Sequence, residues 1–329
     1  MKCLVTGANG FLGTNLVLAL CEQGWPVCAS GRTTQANRFI AELPIDYRPL
    51  DITDAQSVDA AVRDVDVVFH VAGDTSFWKP LYPQQRSTNV DGTLNVARAC
   101  LQQGKRMVHT STADVFGYRE DGECVDESGT FNFTGMDYHY GETKHEADQH
   151  LHRLHQQGLD VVLLHPGTLV GPYDHGLQMG RVFFDLKAGR IPACPPGGMS
   201  FCHATEVATA HVRAAETGIA GRSYILAGMP HTNLLQRDMF ALMAEAIGAR
   251  APTLVMPEWL FVAYAAGCEW LSYLTRKPPQ INPGQARYMS KPQRLTSARA
   301  IAELDYRVPS IETCINDAVR WYRENGYSL

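Results

Sequence analysis

Tyr140 and Lys144 stand four residues apart in the run Tyr140-Gly-Glu-Thr-Lys144. Residues at i and i+4 share one face of a helix, so the ammonium group would lie one turn from the phenol. A neighbouring positive charge stabilises a phenolate and lowers the pKa of the tyrosine. The pair could therefore exchange a proton with a reacting oxygen near neutral pH. The same spacing also occurs on ordinary surface helices, and Tyr138, with no lysine four residues on, is the weaker candidate.

A second run, His109-Thr-Ser-Thr-Ala-Asp-Val-Phe-Gly117, is rich in hydroxyl groups and follows an apolar strand pattern. In open α/β sheets, ligands bind beyond the carboxyl ends of the strands. A hydroxyl group of this run could therefore hydrogen-bond the reacting oxygen beside Tyr140.

Three glycines, Gly7, Gly10 and Gly13, separate a short apolar strand pattern from a segment with helical spacing of apolar residues. Glycines let the backbone approach phosphates closely, and a helix N-terminus offers free N–H groups and a partial positive charge. The strand–glycine–helix order therefore predicts a site for the pyrophosphate of a dinucleotide, and with it nicotinamide redox chemistry. Three glycines alone would also suit a structural turn, so the flanking strand and helix decide the interpretation.

The elements that must position these residues alternate along the first half of the chain. Strand patterns lie at residues 2–6, 27–30, 46–50, 65–71, 106–111 and 160–164, and helical patterns at 11–22, 35–42, 55–63, 89–102 and 140–157. Strands that are apolar on both faces and alternate with helices predict an α/β fold with a doubly wound parallel sheet of the Rossmann type.

The pattern changes after Pro172, and glycine and proline become dense at residues 191–198. A helix at 205–217 and a strand at 223–227 are expected to return to the sheet. We therefore predict a dinucleotide-binding Rossmann domain over residues 1–170, to which 201–230 return. Residues 171–200 and 231–329 would form a smaller C-terminal, mixed α/β domain that binds the substrate.

The composition fits a soluble enzyme. With 329 residues, a net charge of −5 and a pI near 6.2, the chain is not expected to bind nucleic acid. Its nine cysteines include no C-x-x-C pair, which favours reduced cytosolic thiols over disulfides or a zinc site. Met1 leads directly into the first strand pattern, so we expect no signal peptide and a cytoplasmic location. The four histidines between residues 145 and 155 are spread around one helix, so no metal site is expected.

The most apolar stretch, residues 259–274, is interrupted by Gly267 and Glu269 and is too short and too polar to predict a transmembrane span. A core helix is favoured over a membrane contact. The intermediate interpretation is a hydrophobic wall over a substrate pocket.

Together, these motifs resemble the extended short-chain dehydrogenase/reductase superfamily over nearly the whole chain. The matching stretches are residues 6–13, 51–52, 70–73, 89–95, 111–112, 140–144 and 166–172. The resemblance implies that Thr112, Tyr140 and Lys144 are catalytic and that Asn89 supports the active-site helix. It implies that the cofactor is bound by Gly7, Gly10, Phe11, Leu12, Gly13, Arg32, Asp51, Ile52, Val71, Ala72, Gly73, Thr110, Tyr140, Lys144, Pro166, Gly167 and Thr168.

Within that superfamily, the chain is most similar to dihydroflavonol-reductase-like proteins. That group overlaps with 3β-hydroxysteroid-dehydrogenase-like proteins and with hopanoid-associated sugar epimerase-like proteins. The shared stretches are residues 70–78, 171–174 and 224–228. Since these relatives act on different substrates, the resemblance does not identify the substrate.

The end of the second strand pattern bears on the choice of cofactor. An NAD-selective site usually places Asp or Glu there to bind the ribose 2′-hydroxyl. Gly31 occupies that place and Arg32 follows it. Because a guanidinium pairs well with a phosphate, NADP(H) is favoured over NAD(H).

Two departures from the family patterns bear on the reaction. The Thr-Asp-Glu triplet of the 4,6-dehydratases is replaced by Thr112-Ala-Asp114, which argues against elimination. The arginine with which nucleotide-sugar epimerases grip the phosphates is replaced near Met199, although Arg181 or Arg287 could substitute for it. The candidate substrate contacts are Thr75, Trp78, Ser111, Asp114 and Arg181, with Phe183, Phe184 and Trp259 as further apolar candidates.

The sequence thus predicts an NADP(H)-dependent oxidoreductase that reduces the carbonyl group of a small, largely hydrophobic substrate, with Tyr140 as the proton donor. The alternatives are a nucleotide-sugar 4-epimerase with bound NAD and a non-catalytic NADP-sensing regulator. The expected partner is a small-molecule carbonyl or alcohol compound, and a homodimer is left open.

Overall fold

In the computed structural model, which describes residues 1–329, seven parallel strands form one sheet in the order β3-β2-β1-β4-β5-β6-β9. These strands are β1 (Cys3–Thr6), β2 (Val27–Gly31), β3 (Ile45–Pro49), β4 (Val67–His70), β5 (Arg106–Thr110), β6 (Val161–Pro166) and β9 (Ser223–Leu226). The order runs outward in both directions from β1 and β4, as in a doubly wound fold. The predicted Rossmann-type fold is confirmed.

Helices cover both faces of this sheet, and its strands are largely buried on both sides except for the edge strand β3. They are α1 (Phe11–Glu22), α2 (Ala55–Val62), α3 (Tyr82–Arg86), α4 (Thr93–Gln103), α5 (His139–Gln156) and α7 (Ala204–Thr217). On one face, Leu16 of α1 and Val207 of α7 pack against the strands. On the other face, Val58 of α2, Val96 of α4 and Leu151 of α5 close a second core.

The smaller C-terminal part is built around a three-stranded sheet with the order β10-β8-β7. Its strands are β7 (Thr168–Val170), β8 (Gly198–His203) and β10 (Asn233–Leu235). The remaining helices are α6 (Gly180–Lys187), α8 (Gln236–Ala246), α9 (Glu258–Thr275), α10 (Pro283–Tyr288), α11 (Ala298–Leu304) and α12 (Ile311–Glu324). Phe183, Met239 and Tyr322 centre its core, and β7 starts directly after β6, so the two sheets meet beside the strand ends. The domain boundaries stay a prediction.

The helix expected at residues 35–42 is wrong, since this segment forms turns between β2 and β3. Both the backbone and the side chain of Asn37 form hydrogen bonds with residues near the N-terminus of the chain. Its N–H donates to Asn9 Oδ1 at 2.9 Å, and its Nδ2 donates to Thr14 Oγ1 at 2.8 Å. These contacts wrap the segment over the glycine turn in place of a helical hydrogen-bond ladder.

The expectation of a core helix at residues 259–274 is also wrong. Of the residues of α9, only Phe261, Ala265 and Ser272 are buried, and the two tryptophans Trp259 and Trp270 are exposed. The buried side packs on Ile281 and on Ala286 of α10. None of the helices combines the length and the apolarity needed to span a bilayer.

Candidate active site

A cleft of about 1010 Å³ opens at the carboxyl ends of the parallel strands, between the large sheet and the C-terminal part. Of the site residues expected from the sequence, the following line it: Gly7, Gly10, Phe11, Leu12, Gly13, Arg32, Ile52, Val71, Ala72, Gly73, Thr75, Thr110, Ser111, Thr112, Asp114, Tyr140, Lys144, Pro166, Gly167, Thr168 and Arg181. Asp51, Trp78 and Asn89 do not line it. The fold therefore gathers most of these residues, from eight separate stretches of chain, around one space.

The glycine turn forms a tight cradle at one end of the cleft. Gly7 has φ +73°, and a Cβ there would lie 2.7 Å from Cα and N of Ala72. A Cβ on Gly13 would collide with the Gly7 carbonyl. Helix α1 begins after Gly10 with no side-chain cap, so its first N–H groups are free to bind an anion. A cradle that any side chain would fill, at an uncapped helix N-terminus, fits the pyrophosphate of a dinucleotide.

Arg32 and Asp51 flank the neighbouring part of the cleft in different ways. Arg32 is exposed, lines the cleft and has no acidic partner within ion-pair distance. The Asp51 carboxylate instead accepts hydrogen bonds from Thr53 N at 2.9 Å and Thr53 Oγ1 at 2.7 Å. These two bonds lower the pKa of Asp51 and use its carboxylate in the turn before α2. The structure does not bring Asp51 to the cleft.

Thr112, Tyr140 and Lys144 lie together where β5 and α5 meet. Thr112 caps a short 3₁₀ turn after β5, and Lys144 Nζ donates to the Thr110 carbonyl at 2.7 Å. Burial, followed by the charge of Asp114, raises the pKa of Tyr140, whereas a Thr112 contact lowers it. The expectation that Lys144 lowers this pKa is wrong in this structure. Tyr140 therefore keeps its proton at neutral pH.

Asp114 is the centre of a buried hydrogen-bond network beside Tyr140. Its Oδ2 accepts from Tyr138 Oη at 2.6 Å and from Thr112 Oγ1 at 3.0 Å. Its Oδ1 accepts from Tyr288 Oη at 3.1 Å and from Gln293 Nε2 at 3.0 Å. Burial raises the pKa of both tyrosines, so both stay protonated as donors. The network fixes the carboxylate and the Thr112 hydroxyl at the floor of the cleft.

Sequence reasoning missed Tyr288 and Gln293, which reach Asp114 from 174 and 179 residues away. Nothing local in the sequence marks them. It also missed Asp148, four residues after Lys144, although the same i, i+4 spacing would have placed it on that helix face.

Asp148 is buried on the inner side of α5. Ser111 Oγ donates to its Oδ2 at 2.7 Å, so the hydroxyl expected to contact substrate is used within the protein. Two buried imidazoles, of His109 and His165, each approach the carboxylate to 3.6 Å. Burial raises the pKa of Asp148 to about 7 and lowers that of Lys144 to about 8. The negative charge of Asp148 opposes the fall in the pKa of Lys144, so it helps to keep this lysine protonated.

Asn89 braces the site from behind. Its Oδ1 accepts from Asp74 N at 2.7 Å, and its Nδ2 donates to Asp74 O at 2.9 Å and to Thr143 Oγ1 at 3.1 Å. It belongs to a π-helical segment, Ser87–Gly92, that precedes α4. Asn89 thus connects the chain after β4 to α5 without lining the cleft, and its role in supporting the active-site helix stays a prediction.

The apolar candidates of the sequence analysis do not form the cleft wall. Trp78 Nε1 donates to Ser272 Oγ at 3.1 Å, Phe183 is buried in the C-terminal core, and Trp259 is exposed. Phe184 also packs in that core. Other apolar residues line the far half of the cleft: Phe77, Met179, Val182, Ile191, Pro192, Met199, Phe201, Phe240, Met256, Phe261, Tyr264, Ile281 and Met289.

Two arginines lie at the edge of this apolar half. Arg190 Nε and Nη2 donate to Asp185 Oδ1 at 2.8 and 2.6 Å, and Arg181 Nε lies 3.5 Å from Asp185 Oδ2. Both arginines line the cleft and are more than half exposed. Arg287 instead donates to the Met136 carbonyl and does not line the cleft. Asp185 is thus the shared acidic partner of both guanidinium groups.

No three His, Cys, Asp or Glu side chains are grouped so as to hold a metal ion. The family model described as "NAD dependent epimerase/dehydratase family" matches residues 3–227. A Synechocystis protein named dihydroflavonol 4-reductase is 29% identical over 98% of this chain and 95% of its own. Sterol demethylase protein B of Methylococcus capsulatus is 30% identical over 99% of each chain. The crystal structure of gox2253 superposes with a TM-score of 0.85 and 29% identity, over 100% of this chain and 99% of that one.

Proposed function

This chain belongs to the NAD dependent epimerase/dehydratase family of extended short-chain dehydrogenases/reductases, and from that premise we propose its reaction. Family members are NAD(P)-dependent oxidoreductases, epimerases and dehydratases, so the chain is a nicotinamide-dependent enzyme. We infer that it reduces the carbonyl group of a largely hydrophobic small molecule with NADPH, and oxidises the alcohol in reverse.

The observation that carries this proposal is the apolar half of the cleft, which reaches Tyr140 through Phe77, whose ring centroid lies 6.2 Å from that of Tyr140. Burying apolar ligand surface there contributes about 25 cal/mol per Å². Two relatives carry names that refer to a dihydroflavonol and to a sterol, which are both lipophilic ring compounds. Their names agree with a substrate held mainly by apolar contacts.

The proton chemistry follows from the side chains around Tyr140. A bound nicotinamide supplies the hydride for the carbonyl carbon. Tyr140 Oη donates its proton to the carbonyl oxygen, which becomes the hydroxyl group of the product, and solvent returns the proton. Thr112 Oγ1 donates to Asp114 Oδ2 in the free enzyme, and we propose that it turns this hydrogen to the carbonyl oxygen when substrate binds and so orients that oxygen. Lys144, whose Nζ donates to the Thr110 carbonyl at 2.7 Å, lines the same part of the cleft and would hold the ribose of the cofactor.

The preference for NADPH is proposed from Gly31 and Arg32. No acidic side chain stands at the end of β2 to accept a hydrogen bond from a ribose 2′-hydroxyl. The Arg32 guanidinium has no acidic partner within ion-pair distance and lies at the cleft, where it can pair with a 2′-phosphate.

A nucleotide-sugar 4-epimerase remains the second candidate because Arg181 and Arg190 face the cleft. Two guanidinium groups could hold a diphosphate if they exchanged Asp185 for it. Asp185 already neutralises half of their charge, and the neighbouring lining includes the apolar Met179, Val182 and Ile191, so we favour the reductase. The third candidate, a non-catalytic NADP-sensing regulator, predicts cofactor binding without turnover of any substrate.

One set of measurements separates the three functions. Purified protein is tested for NADPH oxidation with aromatic, steroid-like and aliphatic ketones and aldehydes, and for binding of UDP- and GDP-sugars by calorimetry. We expect ketone-dependent NADPH oxidation and weak or no binding of nucleotide-sugars. Micromolar binding of a nucleotide-sugar, or its conversion without net use of NADPH, would establish the epimerase. Tight NADPH binding without turnover of any compound would favour the regulator.

A further inference from the structure

The outward side of α9 carries a continuous set of exposed apolar residues. Trp259, Trp270 and Leu274 are each 70–72% exposed. The set, which we term the apolar face, comprises Trp259, Leu260, Trp270, Leu271, Tyr273 and Leu274 on α9, with Leu254 and Val255 just before the helix, all exposed. Isolated exposed apolar side chains are ordinary, but a contiguous group of this size marks an interaction surface.

The arrangement is the reverse of an ordinary surface helix, which places charged residues outward. At about 100° per residue, Trp259, Trp270 and Leu274 fall within one narrow stripe of α9. The acidic residues of the helix, Glu258 and Glu269, lie outside this stripe. Glu269 faces Lys79 at 3.4 Å, and Glu258 faces Lys291 at 3.3 Å. The stripe of Trp259, Trp270 and Leu274 therefore carries no charged residue, and the exposed Glu258 lies beside it, paired with Lys291.

The opposite side of α9 belongs to the proposed substrate site. Phe261 and Tyr264 line the cleft, and Tyr264 Oη donates to Gln280 Oε1 at 3.2 Å. A single helix thus separates the apolar half of the cleft from the apolar face outside. Any surface that covers the apolar face lies one helix away from the cleft.

The charged residues around α9 indicate which kind of surface binds its apolar face. Glu258 is paired with Lys291, whereas Glu269 shares Lys79 with Asp137, so a single negative charge is left uncompensated on the inner side of the helix. Arg276 and Lys277, directly after the helix, are exposed and have no acidic partner within ion-pair distance, and neither does Arg250 before it. The unbalanced charge beside the apolar face is therefore positive. Tryptophan and tyrosine at the boundary, with cations at one end, suit a surface of anionic lipid headgroups.

We propose that α9 docks on an anionic phospholipid bilayer, with its axis along the interface and its apolar face among the headgroups and upper acyl chains. The helix lies on the membrane without crossing it. In consequence, a lipophilic substrate dissolved in the bilayer has a short path to the cleft, past Phe261 and Tyr264. This last step rests on the proposed function, whereas the docking itself does not.

Vesicle flotation tests the docking without any need for turnover. The full chain is floated with vesicles of phosphatidylcholine alone, and with vesicles of equal parts phosphatidylcholine and phosphatidylglycerol. We expect co-flotation with the anionic vesicles, weakened by salt. Trp270→Glu combined with Leu274→Glu should abolish it. Ile219→Glu combined with Ile301→Glu makes the same change at exposed apolar residues away from α9, and should leave it intact.

The contribution of the cations to vesicle binding is tested with a separate variant. Each cation near an anionic surface contributes about 1 kcal/mol, so Arg276→Gln with Lys277→Gln should lower the partition coefficient on the order of 30-fold. Circular dichroism checks that all variants are folded. Failure of the wild-type chain to float, or equal flotation of Trp270→Glu/Leu274→Glu, overturns the proposal. A concentration-dependent dimer that Trp270→Glu disrupts, with no vesicle binding, would assign the apolar face to a second copy of the chain.

Discussion

Gly7 and Gly24 offer a matched pair of substitutions that isolates what the glycine turn contributes. Their φ angles are +73° and +72°, so alanine is equally strained in the backbone at either position. Their surroundings differ. A Cβ at Gly7 would lie 2.7 Å from the backbone of Ala72, whereas a Cβ at Gly24 would have nothing within 4 Å. Ala72 lies two residues after the end of β4, and its backbone atoms cannot turn aside as a flexible side chain can.

The expected losses of stability follow from these two contributions. A left-handed conformation costs alanine about 1–2 kcal/mol. Overpacking adds about 1–3 kcal/mol. Gly24→Ala should therefore lower the free energy of unfolding by about 1–2 kcal/mol, and Gly7→Ala by about 2–5 kcal/mol. Because Ala72 lines the cleft, its displacement in Gly7→Ala should also weaken NADPH binding by about tenfold or more, equivalent to about 1.4 kcal/mol.

Both quantities are measured on both variants. Urea unfolding with linear extrapolation gives the free energy of unfolding. Quenching of protein fluorescence or enhancement of NADPH fluorescence gives the dissociation constant. Equal losses of stability in the two variants would show that the contact with Ala72 is unimportant. Wild-type affinity for NADPH in a folded Gly7→Ala protein would refute the assignment of this turn to the cofactor.

The other predictions concern the side chains of the site. Tyr140→Phe should lower kcat by about two to four orders of magnitude with an unchanged NADPH dissociation constant, while the exposed Tyr273→Phe control keeps normal turnover; near-normal kcat in Tyr140→Phe would exclude it as the acid. Arg32→Ala should narrow the difference in binding free energy between NADPH and NADH by about 1–3 kcal/mol, and Arg38→Ala, outside the cleft, should not; equal wild-type affinities would contradict the role of Arg32. Asp148→Asn keeps an acceptor for Ser111 but removes the charge that raises the pKa of Lys144, so this pKa should fall further and the alkaline limb of the kcat profile should move to lower pH. Burial raises the pKa of Asp148 from 3.8 to about 7, so its protonated form stabilises the fold fully below about pH 4, and this stabilisation is lost as the pH rises through 7. The unfolding free energy of the wild type, relative to that of Asp148→Asn, should therefore fall over that pH window. A difference that does not change with pH would refute the burial argument.

The sequence alone determined the elements whose cause is local. Strands apolar on both faces can only be buried between two layers of helices, so the doubly wound sheet followed from periodicity. The strand–glycine–helix order of the first turn is contained within about a dozen residues, and Gly13 is required by the nearby Gly7 carbonyl. The spacing of Tyr140 and Lys144 is fixed by the helix that carries them. Since these signals act over one or two turns of chain, they can be found without knowledge of the fold.

The tertiary structure decided whatever depends on partners that are distant in the chain. Asp114 is an anchored carboxylate only because Tyr288 and Gln293, in the C-terminal part, reach it with their donor groups. Residues 35–42 have helical spacing, but hydrogen bonds from Asn37 to the glycine turn outweigh that weak propensity. An apolar run such as residues 259–274 does not reveal which of its faces is covered, because that depends on the elements beside it. Burial has the same origin: the pKa values of Tyr140, Lys144 and Asp148 are set by the water that the assembled fold excludes.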